Sequence, residues 1–449
     1  VRGLALVALV PLVLACGDAT APVEENPSPE PPGIPPAATA WLDDAVVPLE
    51  GSHLSLPPGD LQSLRALVGG ARIVSLGENT HGTRDFFEMK ARILRFLVEE
   101  MGFEAFAIEA TWPESNRLDA YVRTGAGDPA ELLSGLYFWT WNTESVLEMI
   151  EWIRSWNEAG GDVGFYGFDM QFPGMALHNV VEYVDLVDPD ATRATEDRIR
   201  CLARLANGPD GRSPSPGYRD QTDAYRSQCA DSLAAVKVHL ELNREEYEAA
   251  SDSRAFALAL RSLRVAEQYH LMITGEQSRD QSMAENTVWL AEQLGPDSRL
   301  VLWAHNFHVS TLPGAQGSWL RETFGEDMVI VGFSHETGLF TAVRQQGSTF
   351  VGLQELTLDA VRSLSYEHYF STVQAPRFLL DLRDRDLGSE ATAWLAGPRG
   401  FRSIGCCFDP FQPGRYWATY RLPDALDAVI HFRETRPTVV LPFRYPEVF

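Results

Sequence analysis

The chain has 449 residues, 45% hydrophobic and 22% charged, an ordinary globular balance with room for one large domain or two. Its 37 Lys and Arg stand against 62 Asp and Glu, giving a net charge of −25. A surface that acidic repels nucleic acid and anionic membrane faces, which excludes partners held by those charges.

Arg2 precedes an apolar run from Gly3 to Ala15 that ends Val13-Leu14-Ala15-Cys16. Such a run is short for a membrane span and suits the core of a signal peptide. Its last four residues are similar to the cleavage box of bacterial lipoproteins, in which the cysteine becomes the lipidated first residue. The expectation is a leader over 1–16, an extracytoplasmic location, and membrane contact through a lipid on Cys16 alone. Residues 17–38 hold seven of the 28 prolines and predict an extended, disordered tether. The globular domain is expected over 39–449.

Arg72 to Leu76 and Phe103 to Ile108 read as buried strands. Between them Phe86, Phe87, Ala91, Ile93, Leu94, Leu97 and Val98 recur at helical spacing, with Arg, Lys and Glu on the other face. Gly102 stands where a helix C-terminus favours it. A strand–helix–strand unit makes the two strands parallel and the crossover right-handed. Glu78 and His81 then follow the first strand and Glu109 the second, at the edge where open α/β sheets place ligands. An imidazole three residues from a carboxylate suits general-base work on water.

Thr111-Trp112-Pro113-Glu114 opens a helix with a capping-box spacing. The aromatic cluster Tyr137, Phe138, Trp139 and Trp141 reads mainly as core, with one or two rings available for a pocket wall. Val163 to Phe168 predicts a third buried strand with Asp169 and Gln171 at its end. Residues from about 176 to 275 keep helical spacing and predict a helical insertion in the sheet domain. Gln277 to Leu294 predicts a helix stopped by Gly295-Pro296, which sets Arg279 and Asp280 at the same edge as His81. Arg299 to Ala304 predicts a strand that delivers His305 and His308, and Asp327 to Phe333 one followed by Ser334 and His335. A last short strand is read at Ala428 to Ile430.

Cys201 and Cys229 flank a Gly/Pro/Ser-rich loop, and a bridge between them is the simplest pairing. Cys406 and Cys407 are adjacent; neither pair has zinc-finger spacing. The fold expected is α/β, a mostly parallel central sheet flanked by helices with the helical insertion. Glu78, His81, Glu109, Asp169, Arg279 and His305 are expected to line one cleft beneath that insertion. No Gly-x-Ser-x-Gly elbow and no phosphate-binding Gly-x-x-x-x-Gly-Lys-Ser/Thr loop occurs. His305-x-x-His308 with nearby carboxylates leaves a metal-dependent hydrolase as an alternative. A ligand-binding lipoprotein without catalysis is a third reading, disfavoured because binding alone needs no base.

Seven ordered pieces resemble the erythromycin esterase family. They are Gly77-Glu78-Asn79-Thr80-His81-Gly82-Thr83, Ala107 to Pro113, Trp139 to Glu144, Tyr166 to Asp169, Arg279-Asp280 with Met283-Ala284 and Asn286, Trp303 to His308, and Asp427 to His431. The resemblance implies hydrolysis of a macrolide-type lactone or related ester by activated water, with no covalent serine and no cofactor. It implies His81 as general base oriented by Glu78, with Glu109 and His305 assisting water and the oxyanion. Lys90, Asp169, Arg279 and His308 would bind substrate; Lys90 stands where family members often carry Arg.

Overall fold

The computed structural model describes residues 33–206 and 216–444. The leader, and the tether as far as residue 32, lie outside the described residues. A helix, Pro36–Ala45, begins inside the stretch expected to be tether, with proline in its first turn where the lost N–H costs nothing.

Twelve strands occur among the described residues: β1 Val46–Pro48, β2 Ile73–Leu76, β3 Ala105–Thr111, β4 Gly164–Asp169, β5 Leu300–Trp303, β6 Met328–Gln346, β7 Thr349–Thr357, β8 Arg377–Asp381, β9 Arg399–Arg402, β10 Cys407–Phe408, β11 Trp417–Tyr420 and β12 Ala428–Thr435. The main sheet runs β1-β8-β12-β6-β2-β5-β3-β4. From β12 to β4 every neighbour is parallel, and β8 is antiparallel to β12. The chain steps from β2 to β3 and β4 on one side, returns to place β5 between β2 and β3, then builds β6 and β12 on the other side. This reversal opens the crevice at the carboxyl ends of β2, β5 and β3.

The helix Arg84–Met101 follows β2 and ends at Gly102, whose φ of 71° is the left-handed conformation a glycine adopts without strain. Its apolar face packs on the sheet as expected. Much of its polar complement does not meet water: Asp85, Glu88, Lys90 and Arg92 are all buried. Arg92 pairs with Asp60, and Arg436 pairs with Asp85 and Glu88, so segments from both ends of the domain cover the helix.

β6 runs far beyond the short strand expected to stop at Phe333. Its second half leaves the main sheet to pair with β7. Ser334 and His335 are therefore internal to the strand, not at its end. They are tied to β12, Ser334 Oγ to His431 Nδ1 at 2.9 Å and His335 Nδ1 to Thr435 Oγ1 at 3.1 Å.

Between β4 and the helix Arg279–Leu294 the described residues form five α-helices, from Gly174–Val187 to Ser253–Thr274, with a core of their own that includes Leu177, Val180, Leu202, Leu233, Val236, Phe256 and Leu263. Cys201 and Cys229 are bridged within it, their Cα atoms 5.6 Å apart.

Candidate active site

Local chain geometry places the first two residues. β2 ends at Leu76, and a tight loop carries Glu78 and His81 before the helix starts at Arg84. Gly82 permits a close approach to β6: a Cβ there would stand 1.7 Å from the Thr341 carbonyl oxygen. His81 Nδ1 donates to Glu78 Oε1 at 2.6 Å. The same carboxylate accepts at Oε2 from Lys90 Nζ at 2.6 Å and from the Trp303 indole at 2.8 Å. Glu78 is wholly buried, so these donors replace the water it lacks. Burial would push the His81 pKa down, but the hydrogen bond and charge of Glu78, with the charge of Glu109, outweigh it and raise it.

The second group is built from three elements. The register of β3 shifts between Ile108 and Thr111, and this irregularity carries Glu109 inside the strand rather than after it; bulges re-aim side chains in this way. Arg279 is the first residue of the helix Arg279–Leu294. Its guanidinium reaches Asp169 at the end of β4, Nε to Oδ1 at 3.1 Å and Nη2 to Oδ2 at 2.7 Å, and Glu109 Oε1 at 2.7 Å. Asp169 is held further by the Met170 backbone N–H and the Gln171 amide. His308 donates from Nδ1 to Asp280 at 2.7 Å, leaving Nε2 3.2 Å from Arg279 Nη1 and 3.4 Å from Glu109. Burial favours the neutral Glu109 carboxyl, but His308, Arg279 and His81 together hold its pKa well below the usual range.

His81, Glu109, Arg279 and His308 line one cavity of about 210 Å³ with Phe138, Trp139, Thr140, Trp141, Gln171 and Cys406. The aromatic cluster thus supplies a wall, and the Trp141 indole is fixed by the Glu109 carbonyl at 2.8 Å. No residue of the helical segment lines this cavity, so the cleft is not roofed by the insertion as expected. A larger cavity of about 590 Å³ lies in that segment, lined by Arg226, Arg264, Glu267 and His270 among others, and contains none of the groups above.

Three expected roles change. Lys90 was expected to bind substrate, but it has no exposed surface and its ammonium is spent on Glu78 and on the face of the Trp303 ring, 4.5 Å from its centroid. Burial, against the opposing charge of Glu78, brings its pKa down to about 8. Asp169 touches Arg279 rather than the cavity. His305 was expected to assist water and the oxyanion, yet both ring nitrogens are engaged by backbone. Nδ1 accepts from the Phe307 N–H at 3.2 Å and Nε2 donates to the Ile404 carbonyl at 3.2 Å. Burial, with His81 and His308 nearby, brings its pKa down to about 3 and keeps it neutral. Its backbone N–H donates to Glu109 Oε2 at 3.0 Å, so it positions the carboxylate.

Trp303, Asp280 as the partner of His308, and Cys406 as part of the cavity wall were not expected from sequence. Trp303 directly precedes Ala304-His305 on a strand whose end was known, which was a usable signal. Cys406 sits in a stretch without periodicity and gave none.

The erythromycin esterase sequence profile matches residues 98–435. The chain belongs to the erythromycin esterase family. The match begins after the loop that carries Glu78 and His81. Among curated relatives, YbfO of Bacillus subtilis, named as a hydrolase, is 25% identical over 60% of this chain and 63% of its own length. Erythromycin esterase type II of Escherichia coli is 23% identical over 70% of this chain and 81% of its own. The chain therefore spans less than two thirds of the first of these. A crystal structure of a Bacillus cereus protein superposes with a TM-score of 0.78 at 26% identity, covering 90% of this chain and 98% of that one. The family and the relatives' names support a hydrolase.

Proposed function

We propose that the protein hydrolyses a carboxylic ester, a macrolide-type lactone among the candidates, with water activated by His81. The observation that carries this reading is the Glu78–His81 pair at 2.6 Å on the wall of the cavity. With Nδ1 bound to Glu78, Nε2 is the nitrogen left to meet the cavity's contents.

In this mechanism Nε2 takes a proton from water while the water oxygen attacks the ester carbonyl carbon. The carbonyl oxygen becomes an oxyanion facing the side of the cavity that holds Arg279, whose guanidinium is the hydrogen-bond donor that would meet it. Collapse of the intermediate breaks the bond to the alcohol oxygen, which receives the proton back from His81. Glu78 stabilises the imidazolium between the two transfers. A volume of about 210 Å³ falls below the roughly 300–1,000 Å³ of pockets that engulf a small molecule. The cavity takes the scissile group, and the body of a large lactone rests outside it.

The test is steady-state hydrolysis of simple esters, lactones and macrolides by wild type and His81→Ala, with and without chelator. His81→Ala is expected to lower turnover by ~10²–10⁴-fold, as for a lost general base. Near-wild-type turnover in the variant rejects the mechanism, and loss of wild-type activity to chelator alone replaces it with metal-bound hydroxide. The reading extends to location: the leader and Cys16 are proposed to export the protein and anchor it outside the cytoplasm.

A further inference from the structure

Cys406 lines the same cavity as His81, and the Cys407 sulfur lies 2.7 Å from its own. Successive residues of an extended strand send side chains to opposite faces. Here a bend at Cys406, leading into β10, turns both sulfurs together. Their separation is well inside sulfur contact distance, though longer than the bonded length of about 2.05 Å. Both residues are half-buried, and the chain already carries the Cys201–Cys229 bridge, which persists where oxidants are available.

The segment is also tied to the catalytic loop. The Ile404 N–H donates to the Asn79 carbonyl at 2.6 Å, the Ile404 carbonyl accepts from His305, and the Cys406 carbonyl accepts from the Val343 N–H at 2.9 Å. A change in the covalent state of Cys406 is therefore made within the site itself.

We propose that Cys406 and Cys407 form a thiol–disulfide pair in the wall of the active-site cavity, closed as a vicinal bridge in the working enzyme and opened by reduction to a form in which Cys406 opposes His81. The bridge closes by exchange with an external disulfide. The Cys406 thiolate attacks one sulfur of that disulfide and expels a thiolate. Cys407, its proton passing to solvent, attacks Cys406 Sγ in the mixed disulfide and expels the second thiol. The two protein thiols are oxidised, and the external disulfide is reduced to two thiols.

Four groups face His81: Glu78 from its own loop, Glu109 from β3, His305 from the end of β5, and Cys406. Lys90 stands behind Glu78, and Arg279 and His308 stand beside Glu109. In the open form the hydrogen bond from Cys407, with the charge of His81 and against burial, brings the Cys406 thiol down to about 7. A thiolate there pairs with the imidazolium and resists release of its proton. Closing the bridge removes that charge.

The activity arm of the test rests on His81 acting as the base; the bridge itself is tested without turnover. The full chain is incubated with oxidised glutathione, alkylated before and after reduction, and the peptide holding both cysteines is mapped by mass. Neither sulfur is expected to be alkylated until reductant is added. Alkylation of both without reductant overturns the pair, whether or not any ester is turned over. Reduction with dithiothreitol is expected to move the acid limb of the pH–rate profile up by about one unit, a ~10-fold loss on that limb. Equal limbs in the two forms overturn the role at His81. Cys407→Ser keeps Cys406 but cannot close the bridge, and is expected to show the reduced profile with or without reductant. A response to reductant in that variant assigns the effect to Cys201–Cys229 and overturns the proposal.

Discussion

At the scale of single residues the site is two charge chains meeting across a cavity. Lys90 and Trp303 hold Glu78, which holds His81. Asp169 holds Arg279, which with His308 holds Glu109. Because His81 is raised above its ordinary value of 6.5, it is protonated below a folded pKa higher than that, and only its neutral form accepts a proton from water. Turnover of an accepted ester should rise with pH through one ionisation above 6.5, and a limb well below that value would show that His81 is not the base. Lys90 makes a second prediction. Removing one partner of a buried ion pair leaves an uncompensated charge, so Lys90→Met should cost roughly 3–5 kcal/mol in urea unfolding. A loss under about 1 kcal/mol would mean that Trp303 and His81 suffice to hold the carboxylate.

At the scale of elements, β3 and the helical segment differ in what secures them. β3 is buried along its whole length between β4 and β5, and its register shift is what turns Glu109 toward Arg279 and His305. The helical segment rests on its own core and on the bridge between the helices Pro189–Ala206 and Asp223–Leu242. A crosslink spanning 28 residues removes unfolded-state freedom worth roughly 2–4 kcal/mol. The double variant Cys201→Ser/Cys229→Ser should lower the unfolding midpoint of this segment and expose it to limited proteolysis, with hydrolysis little changed because none of its residues lines the cavity. Lost hydrolysis with unchanged proteolysis would place the segment in the site after all.

At the scale of the whole molecule, the sheet order brings β2, β5 and β3 side by side, and three distant stretches deliver His81, His305 and Glu109 to one edge. In the proposed mechanism the small cavity at that edge takes only the scissile group of a substrate. The proposed export and anchoring rest on the sequence from Arg2 to Cys16. Cys16→Ser should move the protein from the membrane fraction to the soluble one, and a variant that stays membrane-bound would reject the lipid anchor.

The sequence alone determined the features carried by local periodicity. The β2–helix–β3 unit, the strands ending at Asp169 and His305, and the spacing of Glu78 and His81 were legible because side-chain direction repeats with a fixed period in strand and helix. The Cys201–Cys229 bridge was legible for a different reason, two cysteines flanking one loop. Tertiary structure decided what each polar group touches. Lys90 looked like a solvent-facing or substrate-facing cation until the fold turned it onto the sheet, against Glu78 and the rings of Trp303 and Phe333. His305 looked free until Ile404 took one nitrogen. β6 looked short because its second half is specified by pairing with β7, and Cys406 looked unplaced until the 404–407 segment was stitched to Asn79. For His305 and Cys406 the deciding partner lies far along the chain, and a hydrogen bond leaves no periodic trace in the sequence between its two ends.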